Sequence, residues 1–427
     1  MPFKLFLLCS FVLLARPQDA LAFLQPMRPA LVVTALALAA LIFGGRKQDL
    51  SGALSTPESK RYLLFYFIMV LGIPFAYHRG LAFEGVIQRY VVNMVFFVLL
   101  VSQVTSLERL KSLVWVICLA TLTYGMSAGV LQAGNLGDTR LQALGGVFDP
   151  NDTAYVLLSL FPLCLYFTRF DEGAMKRLLA LVAFCGAVAA ILLTGSRGGM
   201  LGLGAVLLLL FLTKTGGIGK RAKLLIALAL LSAWLLMQDK LDIQRYLTLA
   251  DLSSDYNVAE SGGRFALWQE AINLILEHPI LGVGVDSYAT AVHQARLLRG
   301  ADYFRWQAVH NSFLQIAVEV GLIGFGIFLL ICARSLLTFV RLSRLHLPSS
   351  ALESRQISAL SGLMAVGFSG LLVAGFFLSQ GYSTFFTLYF ALAAAVARLQ
   401  WTRAAVEREQ EAVAGAERFG GDGLHAR

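Results

Sequence analysis

The chain has 427 residues, 57% hydrophobic and 14% charged, and its 35 Lys and Arg against 26 Asp and Glu leave a net charge of +9. A soluble domain carries roughly 25% charged residues, and the mean hydropathy here is +0.70. Apolar runs long enough to cross a bilayer recur from end to end, which excludes a soluble enzyme and indicates an all-α, polytopic membrane protein built as one bundle. Most basic residues stand in short loops beside apolar runs, a pattern of membrane topology and not of nucleic-acid binding. Cys9, Cys118, Cys164, Cys185 and Cys332 all lie in apolar runs. Their spacing fits no metal or redox motif and no disulfide framework, so they read as small packing residues.

The chain begins MPFKLFLLCSFVLLARPQDALA. A lysine, a short apolar core and an A-x-A-like end have the form of a signal peptide. The polar interruption ARPQDA is longer than a signal peptide needs, and Pro17 reads as a kink. An uncleaved first helix is the preferred reading. About twelve spans are expected, near 3–24, 29–45, 62–77, 86–104, 110–131, 153–168, 177–194, 199–213, 222–238, 311–333, 357–378 and 382–399. The excess of Lys and Arg on alternate loops predicts that both termini are cytoplasmic. Residues 1–400 then form the transmembrane domain, with a long outer loop, 239–309, between the ninth and tenth spans and short helices within it. Residues 401–427 are polar and Gly/Ala-rich, and read as a disordered cytoplasmic tail. The cytoplasmic loops hold no nucleotide-binding Gly-rich loop, so cytoplasmic ATP is not the expected energy source.

On this map the unusual chemistry lies outside. TGSRGGMLGL, residues 194–203, puts Arg197 between two apolar runs at the outer end of the seventh span. Its glycines permit close backbone approach. A guanidinium there is suited to clamping a pyrophosphate through paired hydrogen bonds, or else it snorkels to lipid headgroups. In the outer loop, RFALWQEAINLILEH reads as an amphipathic helix with Arg264, Trp268, Ile272 and Ile275 on one stripe, ended by Pro279. It would lie along the interface or over a cavity. Arg264 in its first turn opposes the helix dipole. It is either solvated or paired with an anion. GVGVDS, residues 282–287, has neither a preceding strand nor a βαβ unit, so it is read as a turn and not as a dinucleotide site.

VHNSFLQIAVEVGLIGFGIFLL follows, residues 309–330. Asn311 or Ser312 can cap this helix. Asn311, Gln315 and Glu319 recur every fourth residue as a polar stripe in an apolar span. An ionisable Glu319 at that depth should face a polar cavity or a partner. His310 tops the stripe at the water boundary, where an imidazole titrates near neutral pH. In FDPNDTAYVLL, residues 148–158, Asn151 or Asp152 is the expected helix cap. In YHRGLAFEGVIQRY, residues 77–90, Arg79, Glu84 and Arg89 share a face. Arg89 can reach an anion or pair loosely with Glu84.

Three of these blocks, TGSRGGMLGL, GRFALWQEAINLILEHPILGVGVDSY and HNSFLQIAVEVGLIGFG, carry a resemblance to the bacterial O-antigen ligase and O-antigen polymerase superfamily. The motifs cover about 194–326, and the order of spans and long loop agrees along most of the chain. The resemblance implies a metal-independent, cofactor-free inverting glycosyltransferase of GT-C-like helical architecture in the bacterial inner membrane. Its donor would be a glycan on undecaprenyl pyrophosphate, its acceptor a hydroxyl of lipid A–core, and membrane lipids would surround it. It implies that Arg197 and Arg264 hold the pyrophosphate and that His310 acts on the acceptor. Arg89, Trp268, Asn311 and Glu319 are the further candidate substrate-binding residues. Polymerisation of O-antigen and glycosylation of protein hydroxyls are the alternative activities. A transporter is the alternative that is not an enzyme, against which stand the clustering of polar residues at one face and the lack of a visible inverted repeat.

Overall fold

A computed structural model of the protein describes residues 2–44, 50–129, 141, 149–170, 173–212, 223, 227, 263–300, 307–344 and 352–400. All of the expected ninth span but residues 223 and 227, residues 239–262 and 301–306 of the long loop, and the tail 401–427 lie outside the described residues. Every regular element among them is helical. Within hydrocarbon a helix satisfies all its own backbone groups, so apolar sequence of this composition has that solution or a closed barrel. Six described helices are long and apolar enough to cross a membrane: Phe23–Phe43, Arg79–Gln103, Leu107–Ser127, Ala174–Leu193, Ser312–Ser343 and Leu352–Gly375. Pro2–Ala15, Arg197–Leu212 and Thr384–Gln400 are shorter apolar helices.

In chain order the helices are α1 (Pro2–Ala15), α2 (Pro29–Phe43), α3 (Pro57–Gly72), α4 (Arg79–Gln103), α5 (Leu107–Gly129), α6 (150–169), α7 (Ala174–Leu193), α8 (Arg197–Leu212), α9 (Arg264–Glu277), α10 (Tyr288–Leu298), α11 (Ser312–Ser343), α12 (Leu352–Gly375) and α13 (Thr384–Gln400). The first differs from expectation. It stops at Ala15, because Pro17 disfavours helical geometry at Arg16, and Arg16 takes φ 49°. A short helix Pro17–Ala20 and a 3-10 turn Ala22–Met27 follow, and Arg28 at φ 44° opens α2. Fourteen residues rise about 21 Å at 1.5 Å each, short of a ~30 Å hydrocarbon core.

Close helix packing explains the glycines of the TGSRGGMLGL block. A Cβ on Gly199 would stand 2.6 Å from Ala154 Cβ, and one on Gly202 would stand 2.7 Å from Leu158 Cδ1. A Cβ on Gly370 of α12 would meet Val206 Cγ2 at 2.5 Å. Small residues let α6, α8 and α12 approach as membrane helices do, where dispersion rather than water expulsion holds them. The centre is aromatic. Tyr62 stacks on Phe97 with centroids 4.2 Å apart, and Phe328 and Phe386 meet at 5.2 Å. Such pairs contribute about 0.5–1.5 kcal/mol each beyond burial. Two buried hydroxyls are paired across it: Tyr62 with Thr387 at 2.9 Å, and Tyr389 donating to the Ser159 carbonyl at 2.8 Å.

The expected tenth span is a broken helix. In α11 Gly321 has φ 77° and ψ 174°. The turn after α9 plugs this break. Val283 N–H donates to the Val318 carbonyl at 2.8 Å, Gly284 N–H to that of Glu319 at 3.0 Å, and Leu322 N–H to that of Pro279 at 2.7 Å. Backbone groups released from the helix ladder are thereby satisfied, as burial demands. A Cβ on Gly282, itself at φ 69°, would lie 2.5 Å from the Val318 carbonyl oxygen. The GVGV stretch is a backbone plug in a broken helix, which a turn in the sequence does not disclose.

Candidate active site

One end of the bundle gathers the polar residues. Its keystone is the turn 376–383 between α12 and α13, which the sequence reading treated as the junction of two spans. Ser379 Oγ accepts from the His310 N–H at 2.8 Å. Gln380 donates through Nε2 to Asp152 Oδ1 at 2.8 Å and through its backbone N–H to Ser312 Oγ at 3.0 Å. Ser312 Oγ in turn donates to the Leu378 carbonyl at 2.6 Å. Gly381 N–H donates to Gln315 Oε1 at 3.1 Å, and Asn93 Nδ2 donates to the Tyr382 carbonyl at 2.9 Å. Five helices, α4, α6, α11, α12 and α13, thus meet on one loop.

His310 lies just before α11 at φ 54°, a left-handed conformation that costs a residue with a Cβ about 1–3 kcal/mol. The peptide group that precedes it is held at both of its polar atoms: the His310 N–H donates to Ser379 Oγ, and the carbonyl of Val309 accepts from the indole N–H of Trp268 at 3.0 Å. The imidazole is half-buried. Burial lowers its pKa below the ordinary 6.5, the nearby Arg264 guanidinium lowers it further, and Asp149 opposes both. The ring is therefore held neutral around neutral pH, the state in which it can take a proton.

Arg264 opens α9 and is half-buried. The buried stripe of α9 is Leu267, Ala271 and Leu274, with Trp268 and Ile275 at its flank, while Ile272 is exposed. The expected stripe through Ile272 was thus rotated, because Leu267 and Leu274 bury better against α11. Arg197 is the first residue of α8, half-buried, behind a buried Ser196 whose Oγ accepts from Gly199 N–H at 3.1 Å. Its neighbour Gly198 abuts Phe377, where an added Cβ would stand 3.0 Å from Phe377 Cβ. Phe377 belongs to the turn that holds His310, so the starts of α8 and α11 meet on one loop. The glycines beside Arg197 are occupied by helix packing, and give the α8 backbone its place against α6 and the 376–383 turn.

The remaining candidates divide. Trp268 is a brace: its indole is bonded to Val309, and its ring meets Phe376 edge-on at 5.6 Å. Asn311 is the cap of α11, its Oδ1 accepting from the N–H groups of Phe313 and Leu314 at 2.9 and 3.1 Å. Asp149, not Asn151 or Asp152, caps α6, with Asp152 completing a capping box; the Pro150 that follows suits the first helical position. Arg89 pairs with Asp286, Nη2 to Oδ2 at 2.8 Å, and only loosely with Glu84 at 3.8 Å. Residues 84–90 are π-helical, which is how positions five apart come to face each other. Burial raises the Asp286 carboxyl above its usual range in spite of Arg89, which lowers it. Glu319 is 4% exposed, and its Oε2 has no hydrogen-bond partner.

Two cavities open here. One of 720 Å³ is lined by Arg16, Arg28 and Arg89 among others, and one of 330 Å³ by Glu319, Tyr288 and Val309. They share Arg89, Asp286, Gln315 and Ser379. Arg197, Arg264 and His310 line neither, but Val309 and Ser379 put the smaller cavity directly beside His310. Arg16, Arg28, Asp149, Asp286 and Ser379 were not singled out from the sequence. Arg16 before Pro17, Arg28 before Pro29 and Asp149 before Pro150 carried one signal, an X-Pro boundary.

Residues 178–329 match the family described as O-antigen ligase. The chain is 26% identical over 319 residues to a Pseudomonas aeruginosa protein named O-antigen ligase, covering 74% of this chain and 67% of that one. It is 28% identical over 202 residues to an uncharacterized Haemophilus influenzae protein, covering 45% of this chain and 51% of that one. The match thus spans about half the length of the Haemophilus relative. The matched segment runs from α7 through the first half of α11 and contains Arg197, Arg264, Trp268, His310, Asn311 and Glu319, and over it the chain is similar to the O-antigen ligase family.

Proposed function

We propose that the protein is a membrane glycosyltransferase of GT-C-like architecture that moves a glycan from undecaprenyl pyrophosphate to a hydroxyl of lipid A–core. The site faces the periplasm, and both termini are cytoplasmic. The observation that carries this reading is His310, at positive φ, with the peptide group before it hydrogen-bonded at both atoms, and with a pKa lowered by burial and by the Arg264 cation. In the reaction the acceptor oxygen attacks the anomeric carbon as His310 takes its proton. The bond from that carbon to the pyrophosphate oxygen breaks, and the lipid pyrophosphate leaves. Attack from the opposite face inverts the anomeric centre. A positioned base contributes roughly 10²–10⁴-fold.

Charge builds on the leaving oxygen, and Arg197 and Arg264 are the groups to neutralise it. A preorganised donor of this kind is worth about 3 kcal/mol. Permanently charged, two-pronged guanidiniums suit a pyrophosphate and fill the role that a divalent ion has in metal-dependent transferases.

Deleting the gene and separating the surface glycans on a gel tests the reading. Loss of a ligase leaves lipid A–core bare while long chains accumulate on the carrier. Single-repeat caps would instead identify a polymerase. Unchanged lipopolysaccharide with altered protein glycosylation would identify a protein oligosaccharyltransferase, and unchanged glycans of every kind would sink the transferase reading in favour of a carrier.

A further inference from the structure

Helix α9 has three faces, and packing within the chain uses one of them. Leu267, Ala271 and Leu274 are buried with Val292 of α10 and Val318 of α11. Phe265, Ile272 and Leu276 are instead 56, 42 and 75% exposed. At about 100° per residue these three fall within about 40° of one another, so they form a stripe. Gln269, Asn273 and Glu277 recur every fourth residue along its flank. Gln269 Nε2 donates to Asn273 Oδ1 at 3.3 Å. Around the helix the surfaces are therefore buried, exposed apolar and polar.

The apolar stripe continues a surface that lipid covers. α11 is long and apolar enough to cross a membrane. None of its residues from Ser312 to Gly321 is exposed, whereas large apolar side chains lie open from Leu322 and Ile323 onward. The change comes where α9 ends. The Pro279 carbonyl accepts from the Leu322 N–H at 2.7 Å. That bond sets Ile280, 64% exposed, beside Leu322, with Leu276 one helical turn before it. The next residue, Leu281, has its carbonyl 3.9 Å from where a Cβ on Gly72 would stand, and α3 exposes Leu71 and Phe75 at that end. The open apolar faces of α3 and α11 thus run into the stripe of α9.

We propose that α9 is a half-submerged interfacial helix and that the bilayer covers its exposed stripe. Phe265, Ile272 and Leu276 lie against acyl chains of the leaflet at the His310 end, while Gln269, Asn273 and Glu277 face headgroups and water. An amphipathic helix in this position buries its apolar face about 5–10 Å into the boundary between headgroups and acyl chains. Continuity with the open faces of α3 and α11 selects lipid over a second copy of the chain as the occupant. The consequence reaches the candidate site. α9 carries Arg264 and, through Trp268, holds the Val309 carbonyl, so the bilayer sets the height of Arg264 and of the His310 peptide together. None of this depends on the glycosyl-transfer reading.

The test uses the full chain in lipid nanodiscs and reads no transfer activity. Cys185→Ser removes the exposed cysteine and leaves four buried ones. Ile272→Cys, Leu276→Cys and Glu277→Cys are then made singly in that background and labelled with a polarity-sensitive fluorophore. All three positions are exposed, so the core stays intact, and either stripe position carries the test if the other variant fails to fold. With lipids brominated on the acyl chain near the headgroup, the labels at 272 and 276 should be quenched about threefold more than the label at 277 and should emit further to the blue, because only the stripe reaches the acyl boundary. Equal quenching at the three positions, weak or strong, overturns the proposal. Unquenched labels at 272 and 276, with Leu276→Cys forming a disulfide between two copies in one nanodisc, overturn it in favour of an interface between copies.

Discussion

Trp268 donates its indole N–H to the carbonyl of Val309, 3.0 Å away, so the helix that begins at Arg264 holds the residue before His310. The same helix therefore supplies the cation that lowers the imidazole pKa and the brace that fixes its backbone. Trp268→Phe keeps the ring against Phe376 and removes only the hydrogen bond. The expected result is a kcat three- to tenfold lower, the rate equivalent of a ~1 kcal/mol hydrogen bond, with acceptor KM unchanged. An unchanged kcat would leave Trp268 a packing residue only.

His310→Ala, Arg197→Ala and Arg264→Ala should each abolish glycan transfer while the protein still inserts. The expected losses are about 10²–10⁴-fold for the base and roughly 10²–10³-fold for each cation. Arg197→Lys should also be poor, because a point charge lacks the fork that grips two oxygens. Transfer in a reconstituted assay measures all four. Full activity in any alanine variant removes that residue from the mechanism, and a wild-type rate in Arg197→Lys reduces its role to charge.

The pH profile carries a signed prediction. His310 must be neutral to accept a proton, and its pKa lies below 6.5, so the rate should be on its plateau by neutral pH and fall only on the acid side. Arg264 disfavours the imidazolium; Arg264→Gln raises the His310 pKa and moves the acid limb to higher pH. Asp149 favours the imidazolium; Asp149→Asn moves the limb to lower pH. An acid limb that does not move in either variant would show that another group sets it.

The plugged helix break makes a stability prediction. Gly321→Ala puts a Cβ on a residue at φ 77°, into the Ile280 carbonyl, and should destabilise the protein by at least about 1–3 kcal/mol from the backbone conformation alone. Gly326→Ala, on the same helix, meets nothing within 4 Å and should be neutral or stabilising by up to about 1 kcal/mol. Thermal unfolding in detergent compares the two. Equal midpoints would mean that the break is not obligatory.

Chelation tests the role given to the arginines. EDTA should leave transfer by the purified protein unaffected. Inhibition that a divalent ion reverses would replace the arginine mechanism with a metal-assisted one.

Much of the fold is legible because lipid leaves the backbone few choices. An apolar run there is a helix, and α2, α4, α5, α7, α8, α12 and α13 fall within a few residues of their expected places, apart from the longer start of α4. The ends are less legible. The expected first span stops early at an X-Pro boundary, and α11 reads as an unbroken run of apolar residues although it is broken at Gly321. Hydropathy sums over residues and is blind to a hydrogen bond supplied from a turn forty residues upstream in the chain.

The candidate site divides along the same line. From the sequence, Arg264 is expected in a first helical turn, His310 just above a helix start and Arg197 at the outer end of the seventh span, with a polar stripe of Asn311, Gln315 and Glu319; in the structure Arg197 is instead the first residue of α8. Only the tertiary structure distinguished their tasks. Asn311 is consumed as a cap and Trp268 as a brace, Arg89 is paired with Asp286, and Glu319 Oε2 is left without a donor. Those outcomes depend on Val309, Ser379 and Asp286, which lie far from their partners in the chain or on turns with no period of their own. A sequence sets which groups carry charge and which face of a helix they share. Which of those groups is spent on the fold, and which remains for a ligand, is decided by the partners that packing brings within hydrogen-bond reach.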